Sequence, residues 1–310
     1  MKHPIDPKVD CVFKAILGDE DHTHLLIHFL NAILLDELKS PVAWVEILNP
    51  YNEKETRQDK LSIVDVKARD KEGNMFQVEI QMSVYPSLPD RMGYVWATLV
   101  SKQLKKGKNY ADLKPTYSIW IVNGNLDKDE PYLNSYRLCN AQGKVLGNLG
   151  SVWVCELPKF HPKQVKTEKD RWMKLFKEGE KLDDIDLPDW MNTPEMRQTM
   201  DIIKQFSEQE QRYEHYRARR DYLLEQSTIQ TNLQTLQRNL AMETRRKLQA
   251  LKDVEQERKQ KEAALKNEQA ALREKEAERQ AREEALQREA AALAELARLK
   301  AQMEQATAKG

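Results

Sequence analysis

Apolar residues recur along this chain in two rhythms, and the change of rhythm marks its elements. Over residues 10–38, Leu25, Leu26, Phe29, Leu30 and Ile33 fall three and four apart, the spacing of one apolar stripe on a helix. AWVEIL (43–48) reads as a strand, and NPYNEKETRQDK as a polar loop. Two alternating runs follow, LSIVDVKAR (61–69) and MFQVEIQM (75–82), separated by the turn cluster DKEGN. Pro86 and Pro89 precede a helix predicted from Asp90 to Lys106, which Gly107 punctuates. TYSIWIV (116–122) gives a fourth strand, and SVWVCEL (151–157) a fifth strand or edge piece. The order helix, strand, strand, strand, helix, strand predicts an α/β fold with a mixed sheet flanked by helices.

From about Pro158 the pattern changes. DRWMKLFKEGEKL and MRQTMDIIKQF predict short amphipathic helices around Pro188 and Pro194, and no proline or glycine then occurs until Gly310. A stretch so rich in Ala, Glu, Lys, Arg, Gln and Leu is helix or disorder. Leu251, Leu265, Leu272, Leu286 and Leu293 share one heptad position, which Arg258 and Arg279 interrupt, while the companion position is mostly charged. Glu→Lys/Arg pairs four residues apart recur, among them Glu243–Lys247, Glu257–Lys261 and Glu284–Arg288. The pattern therefore suits either a coiled coil that joins copies of the chain or a lone charged helix. Three segments are expected: a domain over 1–160, short helices and a linker over 161–235, and a long charged helix over 236–310.

Composition sharpens this division. Charged residues make up 32% of the 310-residue chain, with the excess concentrated after residue 200, yet Lys+Arg and Asp+Glu balance at 50 each. A neutral total supplies no global field toward nucleic acid or anionic lipid, so any such contact needs a local patch. The first residues lack an apolar signal core and no apolar run reaches the length of a membrane span, which favours a cytoplasmic protein without a membrane partner. Cys11, Cys139 and Cys155 form no C-x-x-C pair, and all three are expected to be small buried hydrophobes in a reducing compartment.

The chemistry concentrates in residues 61–82. In the turn Asp70-Lys71-Glu72-Gly73-Asn74, a three-residue hairpin loop needs positive φ at its last position, where Gly73 stands. With Asp70 opposite Asn74, Asp65 lies directly across from Glu79. One face then carries Val64, Val66, Ala68, Phe76, Val78 and Ile80. The other carries Asp65, Lys67, Arg69, Gln77, Glu79 and Gln81, which would be the wet side of the sheet. Directly opposed like charges destabilise a hairpin unless a divalent cation, a shared proton or a lysine reconciles them. A hard cation such as Mg²⁺ binds through one or two carboxylates and keeps waters for substrate phosphates, a geometry suited to phosphodiester hydrolysis. The same polar face is also what the solvated side of an ordinary sheet looks like, and Lys67 stands diagonally to Glu79, where it could neutralise it.

Asp65 followed by Glu79-Ile80-Gln81 resembles the D…(D/E)-x-K active-site hairpin of the PD-(D/E)XK nucleases. DPKVDCVFKAILG (6–18), KLSIVDVKARDKEGNMFQVEIQM (60–82) and RMGYVWATLVSKQLKKGKNYADLKPTYSIWIVN (91–123) extend the likeness to one branch, the recombination-promoting nuclease and transposase family. The resemblance implies a restriction-endonuclease-like core and a metal-dependent DNA endonuclease linked to recombination or mobile DNA. Asp65 and Glu79 would bind Mg²⁺ (or Mn²⁺). Gln81 would complete the catalytic set where the superfamily more often has lysine, hydrogen-bonding water or phosphate without supplying charge. Asp10, with Lys14 one turn on, would stand for the first-helix motif.

Arg91, at the start of the second predicted helix, and Lys102, Lys105, Lys106 and Lys108, near its end, offer a DNA-binding patch; lysines there also suit the helix dipole. Tyr94, Trp96 and Leu99 are expected in the core, and His22, His24 and His28 on the surface or in the core rather than on a metal. No GxxxxGK[ST], GxGxxG or HExxH motif occurs. The alternative to a nuclease is a catalytically degenerate module that binds nucleic acid or protein and oligomerises through its helical tail.

Overall fold

The computed structural model describes residues 1–49, 51–52, 62–63, 65–104, 107 and 109–307. The chain divides into two compact units, Met1–Leu233 and Gln234–Gly310.

The first unit is built on a six-stranded mixed sheet. Strands β1 (Val45–Ile47), β4 (Val66–Asp70) and β5 (Met75–Gln81) are antiparallel neighbours. Strands β6 (Thr116–Val122) and β8 (Gly150–Glu156) continue parallel to β5, and β7 (Leu133–Tyr136) closes the edge antiparallel to β8. Two short strands, β2 (Tyr51–Asn52) and β3 (Ser62–Ile63), pair separately. SVWVCEL is thus an interior strand, and the edge belongs to β7, whose Leu-Asn-Ser-Tyr carries too little apolar character to announce itself. Leu61 and Val64, assigned to the hairpin from sequence, lie outside the described residues.

The hairpin register is the predicted one: Val66 faces Val78, Lys67 faces Gln77 and Ala68 faces Phe76. Gly73 has φ +87°, and Asp70 ties the turn by accepting from the amides of Glu72 and Asn74. A second glycine is equally constrained: a Cβ on Gly150 would meet the Thr116 carbonyl oxygen at 2.2 Å.

Both faces of the sheet are covered. One face packs Phe76, Val78, Ile80, Ile119 and Ile121 against helices α1 (Asp10–Leu17), α2 (Thr23–Leu34), α4 (Glu168–Glu178) and α5 (Pro194–Glu208). The other packs Trp120, Val122, Val152 and Val154 against Leu88, Met92, Val95 and Leu99 of α3 (Leu88–Ser101). Part of the expected wet face is therefore a second buried layer, because α3 returns across it after the Pro86–Pro89 turn: Gln77 and Glu79 are buried there, whereas Arg69 on β4 stays exposed.

Several expectations need correction. The predicted helix over 10–38 breaks at Gly18, which ends α1. Asp19 then starts a short 3₁₀ turn by accepting from the Asp21 amide, and α2 begins at Thr23. Helix α3 takes Pro89 into its first turn and stops at Ser101 rather than Lys106. Tyr94 is exposed rather than core, whereas Leu99 is buried. Cys139 is exposed and Cys11 only partly buried, so of the three thiols Cys155 alone is fully buried.

Helices α4 and α5 begin on Thr167 and Thr193 caps, and bury Trp172, Met173, Phe176, Met200 and Ile203 in the same core as α1 and α2. The last helix, α6, runs Glu210–Thr307. Its first turns belong to this unit: Tyr216 is buried and its hydroxyl accepts from the Asp6 amide at 3.0 Å. In the second unit Leu251, Leu265, Leu272, Leu286 and Leu293 are exposed, and ion pairs form at Glu243–Lys247, Glu255–Lys259, Glu257–Lys261 and Glu284–Arg288. Among the described residues no helix is long and apolar enough to cross a membrane.

Candidate active site

Asp65 sits at the bend that leads into β4, and Glu79 near the carboxyl end of β5. Each carboxylate accepts from the opposite strand of the hairpin: the Asp65 amide donates to Glu79 Oε2 at 3.1 Å, and the Ile80 amide donates to Asp65 Oδ2 at 3.0 Å. The hairpin register makes this exchange possible, since Asp65 continues the ladder opposite Glu79.

The outer oxygens face cations. Lys14 Nζ, one turn along α1 from Asp10, lies 3.3 Å from Asp65 Oδ1. Arg91, in the first turns of α3, donates through Nη2 to Glu79 Oε1 at 2.7 Å and through Nη1 to Gln81 Oε1 at 3.0 Å. Its guanidinium also lies over the Trp120 ring, 5.3 Å from the centroid. Gln81 completes the chain of contacts by donating from Nε2 to the Ser83 carbonyl at 2.9 Å. All four carboxylate oxygens of the pair thus have a partner within the protein.

Asp10 does not touch this pair. Its two oxygens accept from Nε and Nη2 of Arg219, on α6, at 2.9 and 2.6 Å. Three acids therefore carry three cations: Asp65 with Lys14, Glu79 with Arg91, Asp10 with Arg219. Lys105, Lys106 and Lys108 lie outside the described residues, and Lys102 caps the end of α3.

Electrostatics set the pair apart from ordinary surface acids. Burial, and then the Asp65 charge, push the Glu79 carboxyl up to about 8, against the opposing pull of Arg91. Burial also raises Asp65, although the Ile80 amide and Lys14 oppose it. For Arg91 burial is the largest influence and works against the charge, but Glu79, Tyr85 and Asp65 together outweigh it and hold the guanidinium above its usual value. Two adjacent, buried, hard-oxygen acids reluctant to ionise together are the donor set that a small divalent cation relieves. Among the described residues no cluster of three or more His, Cys, Asp or Glu side chains is arranged to hold a metal, so water or substrate would fill most of the coordination sphere. The histidines stand elsewhere: His28 accepts from the Trp172 indole at 3.0 Å, and His24 contacts Gln198.

The pair lies toward the carboxyl ends of the central strands, where α/β sheets commonly place their ligands. A cavity of about 330 Å³ opens at that end, lined by Met82, Asn123, Asp6, Val9, Glu180 and Arg220 among others. A larger one, about 410 Å³, lies around the hairpin turn and includes neither carboxylate of the pair.

Residues 7–232 match the family model of the PD-(D/E)XK nuclease family transposases. The chain belongs to that family. The match takes in α1, the hairpin, α3 and the first turns of α6, so every residue of the three ion pairs falls inside it. No curated protein and no solved structure matches the chain.

Two contacts of this family member's site escaped sequence reading. Arg91, expected there as a DNA contact, also bonds Glu79 and Gln81, although only ten residues separate it from Gln81 and the Pro86–Pro89 turn reverses the chain. A residue one turn into α3 must then return beside the end of β5. Arg219 lies 209 residues from Asp10, and no local signal joins them.

Proposed function

We propose that this chain is a metal-dependent DNA endonuclease, linked as its family is to recombination and mobile DNA. The observation that carries this reading is the buried Asp65–Glu79 pair, with the Glu79 carboxylate on the Asp65 amide and the Asp65 carboxylate on the neighbouring Ile80 amide. Asp65 and Glu79 would hold Mg²⁺ (or Mn²⁺) through lone pairs that their protein partners leave open. When bound, such an ion neutralises developing phosphate charge and makes bound water easier to deprotonate.

Hydrolysis consumes one water: its oxygen forms a new bond to phosphorus, the bond from phosphorus to one sugar oxygen breaks, and that oxygen leaves with a proton. Asp65 and Glu79 fix where the attack occurs, and α3 keeps bulk water off the inner side of Glu79. Lys14, half-exposed beside Asp65, would meet the DNA strand. Gln81, held between Arg91 and the Ser83 carbonyl, orients the polar groups around an attacked phosphate.

Purified protein should nick supercoiled plasmid in Mg²⁺ or Mn²⁺ and not in a chelator, and Asp65→Ala and Glu79→Ala should each abolish nicking. Activity that persists in both variants removes the site. Metal titration by calorimetry separates this enzyme from a degenerate binding module, which would bind no ion in a Glu79-dependent way.

A further inference from the structure

The hydrolysis proposed above accumulates negative charge on the attacked phosphate, and the motif residues Asp65, Glu79 and Gln81 carry no positive charge to meet it. Gln81 is neutral and tied down at both ends of its amide, its oxygen on Arg91 and its nitrogen on the Ser83 carbonyl. Lys14 pairs with Asp65 Oδ1 at 3.3 Å. The cation that touches both Glu79 and Gln81 is Arg91.

We propose that Arg91 is the phosphate-contacting cation of this site, a guanidinium held beside the buried acid pair by Glu79, Gln81 and Trp120 so that its open edge meets the phosphodiester undergoing attack. The proposal rests on the nuclease reading and names a residue that acts within it.

Four observations support this assignment. The guanidinium bridges two residues of the hairpin motif, 2.7 Å from Glu79 and 3.0 Å from Gln81. The Trp120 ring below and the Tyr85 hydroxyl at 3.4 Å restrict it further, so its position is set before substrate arrives. Its side chain is 37% exposed where that of Glu79 is 6% exposed, so it spans the boundary between the buried acid and solvent. Hydrogen bonds among the described residues engage three of its five N–H groups, which leaves donors for a phosphate oxygen in the fork geometry that guanidinium offers. An ion pair serving only to neutralise Glu79 would require neither the contact to Gln81 nor an open edge.

A structural clamp and a phosphate-contacting cation differ in what their loss does to metal binding. Arg91 competes electrostatically with any cation that Glu79 holds. Arg91→Ala should therefore bind Mn²⁺ at least as tightly as wild type by calorimetry, while nicking saturating plasmid about 100-fold more slowly. Arg91→Lys should keep more activity than Arg91→Gln, because it retains the positive charge although it loses the guanidinium fork. An ammonium introduced at position 81 lands near the same spot, so Gln81→Lys in the Arg91→Ala background should recover at least about tenfold of the lost rate.

Circular dichroism and thermal melting verify that each variant is folded. Should Arg91→Ala unfold, the Lys and Gln variants carry the same test. Three outcomes overturn the assignment: nicking within about threefold of wild type in Arg91→Ala and Arg91→Gln, Mn²⁺ affinity falling in parallel with activity, or no recovery with lysine at position 81. Wild-type protein that neither nicks nor binds Mn²⁺ removes the nuclease reading and this proposal together. Wild type that nicks while Arg91→Gln nicks equally well removes this proposal alone.

Discussion

Glu79 in the hairpin and Glu257 in the long helix each place an oxygen 2.7 Å from a basic nitrogen, yet the two pairs are different chemical objects. The Glu257–Lys261 side chains are 64% and 76% exposed, so water screens the attraction and the pair is worth roughly 0.2–0.5 kcal/mol as an i,i+4 contact. The Glu79 side chain is 6% exposed, with a second carboxylate beside it, and there desolvation outweighs the contribution of its arginine. Distance alone does not distinguish an ion pair that solubilises a helix from one held in a desolvated site. Burial and the sign of the next neighbour do.

The largest expected effect tests that distinction through activity. Alanine at Asp65 or Glu79 should lower plasmid nicking by about 1,000-fold or more, equivalent to roughly 4 kcal/mol of barrier. Alanine at Glu257 should leave it unchanged. Equal effects at Glu79 and Glu257 would abolish the contrast.

Stability against pH comes next. With its folded value near 8 and its unfolded value near 4.5, Glu79 holds its proton longer in the native chain than in the unfolded one. Its contribution to stability is therefore fully present below about pH 4.5 and is lost as pH rises through about 8. Asp65, also raised, acts in the same direction. Urea denaturation in a chelator should show stability falling across this window by an amount on the order of a few kcal/mol. Glu79→Gln should flatten the profile, and Glu257→Gln should not alter it. Added Mg²⁺ should restore stability at the alkaline end, by about 2.7 kcal/mol at 100 times its dissociation constant. An unchanged slope in Glu79→Gln would place the titrating group elsewhere.

How much of this was legible in the sequence depends on how local its cause is. The hairpin register was, because a two-residue alternation and a glycine that must take positive φ leave one pairing that keeps Val66, Ala68, Phe76 and Val78 on one side. The break after Leu17 was weakly signalled by Gly18-Asp19 and masked by the apolar stripe that resumes at Leu25. Burial of the polar face was not legible, since alternation reports which residues share a face and not what covers it; α3 supplies that answer through Leu88, Met92 and Val95. The edge strand β7 and the Arg219–Asp10 bond depend on tertiary placement and left no mark in their own segments.

Arg219 permits a test of intermediate size. It grips Asp10 with two parallel hydrogen bonds, but both side chains keep contact with solvent, at 37% and 21% exposure. Arg219→Ala should therefore cost about 1 kcal/mol, more than an open helix pair and well short of the loss expected for a fully buried one. Thermal melting of the full chain, compared with Arg217→Ala, measures it: Arg217 pairs with Glu214 three residues away on the same exposed helix. Equal costs would mean that the contact to α1 contributes nothing beyond the local helix.

The smallest effect belongs to the helix beyond residue 233. Lys261→Glu removes the attraction to Glu257 and puts two like charges one turn apart, which together amount to about 0.5–1 kcal/mol at low salt. Screening sets the scale over a Debye length of about 10 Å at 0.1 M salt, so the loss should shrink as salt is raised. Far-ultraviolet circular dichroism on heating would register it as a modest drop in helicity that salt largely reverses, with plasmid nicking untouched. A loss of several kcal/mol, or one that salt leaves in place, would mean that Lys261 is buried against a partner surface, such as a second copy of the helix seated on its leucine positions.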